Sequence, residues 1–176
     1  MKPLAIQAEI LPVTEEHLPE LAELAGIIWR QHYPSIISHG QIEYMLGKMY
    51  ALEKLREEIR LQGVYFYRLM VDGQMAGFAS IGPLETSEVW KLHKLYLLPK
   101  LHGNGLGTWL LNHCEAEARR FGARRLQLAV NKHNVRPIAA YKRNGFVVIE
   151  SAVTDFGSGF VMDDFIMAKD LKAEPT

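Results

Sequence analysis

The sequence predicts a mixed α/β domain, and three observations carry that prediction. Asp72-Gly73 stands between two apolar runs, the strongest short hairpin signal in the chain. A strand-like stretch from Trp90 to Leu98 runs into glycines at 103, 105 and 107, and these open a segment with helical apolar spacing. Around these landmarks the hydrophobic period alternates between two and about 3.6 residues, giving the order β-α-α-β-β-β-α-β-α-β-β. At 176 residues the chain, from 1 to 176, reads as one domain. A domain of this size buries roughly 70% of its unfolded surface.

Ala5 to Ile10 reads as a short first strand, ended at Pro12. Thr14 caps a helix whose first turn holds Glu15 and Glu16, where carboxylates favour the positive end of the dipole. Leu18, Leu21, Ala22, Ala25, Ile28 and Trp29 keep its period until Pro34. Ser38 with Gln41 is a capping box for a second helix, whose stripe runs from Ile42 through Met45, Met49 and Leu55 to Ile59, with Gly63 as its end. Val64–Val71 and Gln74–Ile81 form the hairpin, and a strand from about Glu88 to Leu98 follows, stopped at Pro99, which has no N–H to donate. The next helix reaches Phe121 and closes at Gly122. A strand over Arg124–Val130, a helix over Val135–Asn144 with Pro137 in its first turn, and a strand pair over Phe146–Val153 and Phe160–Met167 complete the chain.

Strand, glycine loop and helix N-terminus together make a phosphate-binding arrangement. Glycines let the backbone approach an anion, and the unpaired N–H groups of the first helical turn point at it. A Walker A loop needs Lys-Ser/Thr after its last glycine, but Gly107 is followed by Thr108-Trp109. A dinucleotide fingerprint needs Gly-x-Gly-x-x-Gly and a later acid, but the strand Arg124-Arg-Leu-Gln-Leu-Ala-Val130 offers none. Both nucleotide readings fail.

His102-Gly103-Asn104-Gly105-Leu106-Gly107 resembles the coenzyme A pyrophosphate loop of the GNAT acetyltransferase superfamily, Gln/Arg-x-x-Gly-x-Gly/Ala, with His102 at the first position. Asn134-Val-Arg-Pro-Ile-Ala-Ala-Tyr141-Lys-Arg-Asn-Gly145-Phe146 resembles the GNAT segment Asn-x-x-Ala-x-x-x-Tyr-x-x-x-Gly-Phe, with Pro137 in place of alanine. Two such motifs in the expected order are far more specific than either alone. The resemblance implies a mostly antiparallel mixed sheet with helices on both faces, and acetyl-CoA as cosubstrate. It places the cofactor on Leu95, Tyr96, Leu97, His102, Gly103, Asn104, Gly105, Leu106, Gly107, Thr108, Asn134, Tyr141 and Arg143. The strand before the loop is expected to bulge and splay, freeing main-chain groups at Leu95–Leu97 for pantetheine and the thioester oxygen.

Aminolysis of a thioester needs a neutral amine, a polarised carbonyl and a proton for the departing thiolate. Tyr141 lies about two helical turns from Asn134, on the same face, and is read as the general acid, with a packing tyrosine as the bland alternative. The strand glutamate of some superfamily members is replaced here, so the base is read as His93 or Glu88, directly or through water. Trp29, His32, Tyr33 and Tyr44 either wall an acceptor slot or belong to core and surface. Asp155-Phe-Gly-Ser-Gly-Phe160 is a loop of the kind that carries specificity. Alternation along the last strand puts Asp163 and Asp164 on opposite, otherwise apolar faces, so at least one carboxylate needs a partner: a backbone N–H, a lysine, or the distal ammonium of a polyamine-like acceptor.

Leu95-Tyr-Leu97 and Asp164-Phe-Ile-Met-Ala-Lys169 are similar to polyamine acetyltransferases of the superfamily, so the acceptor is read as a small-molecule primary amine. A peptide amine, or a non-catalytic acyl-CoA-binding module, is the alternative. Lys+Arg and Asp+Glu both number 20, so no strong field recommends nucleic acid or an anionic membrane. Seven histidines without helical ligand spacing, and one cysteine on an apolar helix face, give a metal site little support. Without a spanning apolar run or a leader pattern, the expected location is cytoplasmic, and a homodimer is admitted.

Overall fold

The computed structural model describes residues 6–173, so Ala5 of the expected first strand lies outside the described residues. Seven strands, β1 (Ala8–Pro12), β2 (Tyr65–Val71), β3 (Gln74–Pro83), β4 (Val89–Leu97), β5 (Arg125–Asn131), β6 (Val147–Gly157) and β7 (Phe160–Asp170), form one sheet. Their order is β1-β2-β3-β4-β5-β7-β6. Every neighbouring pair is antiparallel except β4–β5. That parallel pair is joined by the crossover helix α4 (Leu106–Arg120), as two parallel neighbours require. Among the described residues no helix is long and apolar enough to cross a membrane.

Helices cover both faces, so the central strands are buried on both sides, and β3 is buried from Met75 to Gly82. One core packs Leu110, Leu111, Cys114 and Ala118 of α4, with Ile138 of α5 (Val135–Arg143), against Leu69, Ile81, Leu92 and Leu128. Cys114 is fully buried, and that burial pushes its thiol pKa far up, so it serves as a small hydrophobe. On the opposite face α1 (Leu18–His32), α2 (His39–Met49) and α3 (Leu52–Leu61) pack Leu21, Trp29, Ile42, Met45 and Leu55 on Phe66 and Phe78. Trp29 is thus a core residue, 1% exposed.

The single second helix expected from the sequence is in fact two. Tyr50 leaves helical geometry and Ala51 is extended, at φ −58° and ψ 136°. The break turns Tyr50 into the core, its ring edge-on to Trp29 and Phe78. The expected capping box also forms by half. Ser38 Oγ accepts from the Gln41 N–H at 3.1 Å, while the Gln41 amide donates to Val161 of β7 at 2.7 Å instead of turning back. Asp72 and Gly73, at φ 49° and 79°, make the anticipated tight hairpin turn.

Candidate active site

The site begins where β4 and β5 part. Their parallel register runs from Val89 opposite Arg125 to Leu92 opposite Leu128 and stops there. Beyond it β4 pairs only with β3, and β5 continues beside β7 to Asn131. The edge of β4 that faces away from β3 past Leu92 therefore carries main-chain groups with no strand partner. The cause is a bulge: Ile81 sits opposite Leu92 and Ser80 opposite Lys94, so His93 is the extra residue and the strand twists away. Lys94, on the far side of the bulge, is pinned to Glu58 of α3 by a buried ion pair of 2.9 Å. A lysine set among the apolar residues of β4 is the one sequence signal that could have found this pin.

Past β4, Pro99–Leu101 forms one tight turn and the chain enters the glycine loop. Gly105, at φ +77°, is the residue before α4, and the first bond to its carbonyl comes from the N–H of Trp109 at 3.0 Å. The N–H groups of Leu106, Gly107 and Thr108 consequently have no intrahelical acceptor. A Cβ built on Gly103 or Gly105 meets nothing within 4 Å. The loop is an open cradle lined by amides at the positive end of a 15-residue helix, which fits a pyrophosphate. His102, at the departure from the superfamily pattern, folds back so that its Nε2 lies 3.3 Å from the Leu97 carbonyl. Asn104 donates to the Leu101 carbonyl at 3.4 Å.

Across the opening stands α5. Asn134 precedes it and is buried, its Oδ1 2.8 Å from His32 Nε2 at the end of α1. Tyr141 packs edge-on to Phe146, and burial holds its phenol well above the ordinary value. Tyr33 and Tyr96 bring their hydroxyls to 3.0 Å on the α1 side of β4, and burial pushes the Tyr33 pKa up to about 12. Arg143 ends α5 with an exposed side chain.

The two expected bases fall elsewhere. Glu88 sits at the closed end of the β4–β5 pair, where its carboxylate meets Arg124 at 3.4 Å. His93 occupies the bulge with its Nε2 buried and unpartnered, 3.4 Å from where a Cβ on Gly82 would stand. Burial, then Lys91 and Lys94, lower its pKa to about 3. An imidazole so hard to protonate is a poor acceptor for an ammonium proton, so its surroundings work against that role.

Asp163 and Asp164 point to opposite faces as alternation requires. Asp163 pairs with Lys132 at 2.7 Å. Asp164 shares the α1–α3 face with Met162, which lies in that core, and its Oδ1 is buried without a partner. Burial raises its pKa against the opposing pull of Lys91 and Lys132. Further out, α2 is clamped to the β6–β7 turn: Tyr44 and Lys48 both donate to the Phe156 carbonyl, and Gln41 holds Val161. Gly157, at φ +91°, admits the Tyr44 hydroxyl 2.7 Å from where a Cβ would stand. No group of three or more metal-ligating side chains converges among the described residues.

The model of the acetyltransferase (GNAT) family matches residues 21–146, which include the bulged strand, the glycine loop and α5. The chain belongs to the GNAT acetyltransferase family. A spermidine N(1)-acetyltransferase of Thermoplasma acidophilum is 31% identical over 159 residues, covering 88% of this chain and 95% of the relative. The solved structure of the PaiA N-acetyltransferase of Thermoplasma acidophilum in complex with coenzyme A is 27% identical, with a TM-score of 0.79 over 93% of this chain and 99% of that one. The ribosomal-protein-S18-alanine N-acetyltransferase of Escherichia coli, 20% identical with a TM-score of 0.69 over 96% and 97% of the two chains, shares the fold. The fold class and enzyme class expected from the two motifs hold for this GNAT protein.

Proposed function

We propose that the protein transfers the acetyl group of acetyl-CoA to a primary amine of a small, polyamine-like molecule by direct attack on the thioester. Asp164 is the observation that carries the choice of acceptor. A half-buried carboxylate with a buried, unpartnered oxygen, on the face of β7 that Met162 packs toward α1–α3, suits a second cationic nitrogen. The relative named as a spermidine acetyltransferase supports the same reading.

In this reading the amides of the glycine loop and α4 hold the pyrophosphate. The free edge of β4 at Leu95, Tyr96 and Leu97 aligns the pantetheine arm and donates to the thioester oxygen. Asn134, Arg143 and the His102 ring border the same arm. Tyr141 hydrogen-bonds the sulfur as it becomes a thiolate. A phenol held above its ordinary pKa keeps its proton until that charge develops, so the proton is in place for the sulfur at neutral pH. The exposed valines of the edge strand β6, Val147 and Val153 among them, offer the surface for a homodimer.

The test compares kcat/KM for a linear diamine and its matched monoamine. Wild type is expected to prefer the diamine about tenfold to a hundredfold, the size of a charged hydrogen bond. Asp164→Asn is expected to erase the preference, and Asp163→Asn, whose residue is taken by Lys132, to keep it. Equal values for the two amines in wild type would remove the polyamine reading and favour a peptide acceptor.

A further inference from the structure

Two consecutive residues at the end of α1 span the opening between β4 and β5. Tyr33 grips β4 through the Tyr96 hydroxyl at 3.0 Å. His32 reaches to Asn134, 102 positions away, at the start of the helix that follows β5. The His32 ring is further fixed edge-on to Tyr33, with centroids 4.9 Å apart and planes at 87°. Asn134 is itself held, its N–H donating to the Asn131 carbonyl at 2.9 Å. A carbonyl oxygen only accepts, so Nε2 carries the ring proton and Nδ1 is left with a lone pair. His32 is therefore a half-buried histidine of fixed tautomer that bridges the end of α1 to the start of α5.

Of the titratable groups described around the opening, His102 is folded onto the Leu97 carbonyl beside the proposed coenzyme A arm, and the others are engaged or set apart. Glu88 is at the closed end, His93 is walled into the bulge, Asp163 is paired, and Asp164 is assigned to the distal nitrogen. Resting on the proposed acetyl transfer, we propose that Nδ1 of His32, directly or through one water, takes the proton from the attacking amine. The freed nitrogen forms its bond to the acetyl carbon, and the carbon–sulfur bond breaks with its electron pair leaving on sulfur. Tyr141 gives its hydroxyl proton to that sulfur and recovers the second proton of the nitrogen. His32 then releases its proton to water, so one proton leaves per acetyl group transferred.

The groups facing His32 agree with this use. From its own helix comes Tyr33, a neutral phenol, and from α5 the uncharged Asn134. The glycine loop contributes His102. Burial lowers the His32 pKa, the Asn134 bond opposes that, and His102 lowers it further. The imidazole is thus neutral and ready to accept at neutral pH, and kcat/KM should fall as pH drops through its pKa.

The experiment is the pH profile of kcat/KM for a diamine in wild type, His32→Gln and His32→Ala. Glutamine can still donate to Asn134 but has no basic nitrogen. It is expected to lose about a hundredfold or more at neutral pH, with acetyl-CoA affinity unchanged, and its rate should climb with pH as the free amine grows. Free imidazole should rescue His32→Ala, with the rescue following the neutral form of imidazole, which decides the matter even if the glutamine variant folds poorly. Wild-type rate and acid limb in His32→Gln, or no rescue of His32→Ala, would overturn the assignment and leave acetyl transfer standing. Absence of transfer by wild type would overturn both.

Discussion

Replacing Gly105 by valine is expected to abolish the stabilisation that acetyl-CoA confers on the protein while leaving the fold in place. A ligand that binds only the native state adds about 2.7 kcal/mol at a hundredfold excess over its dissociation constant. Gly105 stands at φ +77°, and its missing Cβ would meet nothing within 4 Å, so a valine side chain projects into the cradle where the pyrophosphate is proposed to lie. The substitution also strains the backbone, at roughly 1–2 kcal/mol for a residue forced into the left-handed region. Gly73 separates the two effects. It has φ +79° and equally open surroundings, but sits in the β2–β3 hairpin. Gly73→Val should lose similar stability and keep the full acetyl-CoA shift in thermal unfolding, whereas Gly105→Val should lose the shift. An equal acetyl-CoA shift in both variants would show that the loop does not hold the cofactor.

Tyr141→Phe should lower kcat by about ten- to a thousandfold with acetyl-CoA affinity nearly intact. The change deletes one hydroxyl and keeps the ring against Phe146 and the core. Because the phenol pKa is raised by burial, the wild-type hydroxyl stays protonated through the working range, and the deficit should be the same at every pH from 6 to 9. The measurement is steady-state kinetics alongside equilibrium binding of acetyl-CoA. Wild-type turnover in the phenylalanine variant would reduce Tyr141 to a packing residue.

What was legible in the sequence was local. Gly122 and the pair Asp72-Gly73 adopt left-handed backbone, and that reads directly from residue type. The break at Tyr50–Ala51 did not read, because the apolar stripe continues across it and no glycine or proline marks the turn. The bulge itself was expected. Its position at His93 and the parting of β4 from β5 after Leu92 depend on which strands lie alongside, which no single segment encodes. The same holds for the two aspartates. Alternation placed them on opposite faces, but only the register of β7 against β5 gave Lys132 to Asp163 and left a buried oxygen of Asp164 without a partner. The bridge from His32 to Asn134 is the extreme case, with both residues visible in the sequence and their meeting set by the whole sheet.

These assignments make one chemical claim, that the opening in the sheet brings a thioester and an amine together. It is tested most directly by mixing the purified protein with acetyl-CoA and a linear diamine, then following free thiol release and the mass of the amine together. One acetylated nitrogen is expected for every thiol released, with release depending on the amine. Acetyl-CoA binding without thiol release for diamine, monoamine or peptide amines would contradict it and make the protein a non-catalytic acyl-CoA-binding module.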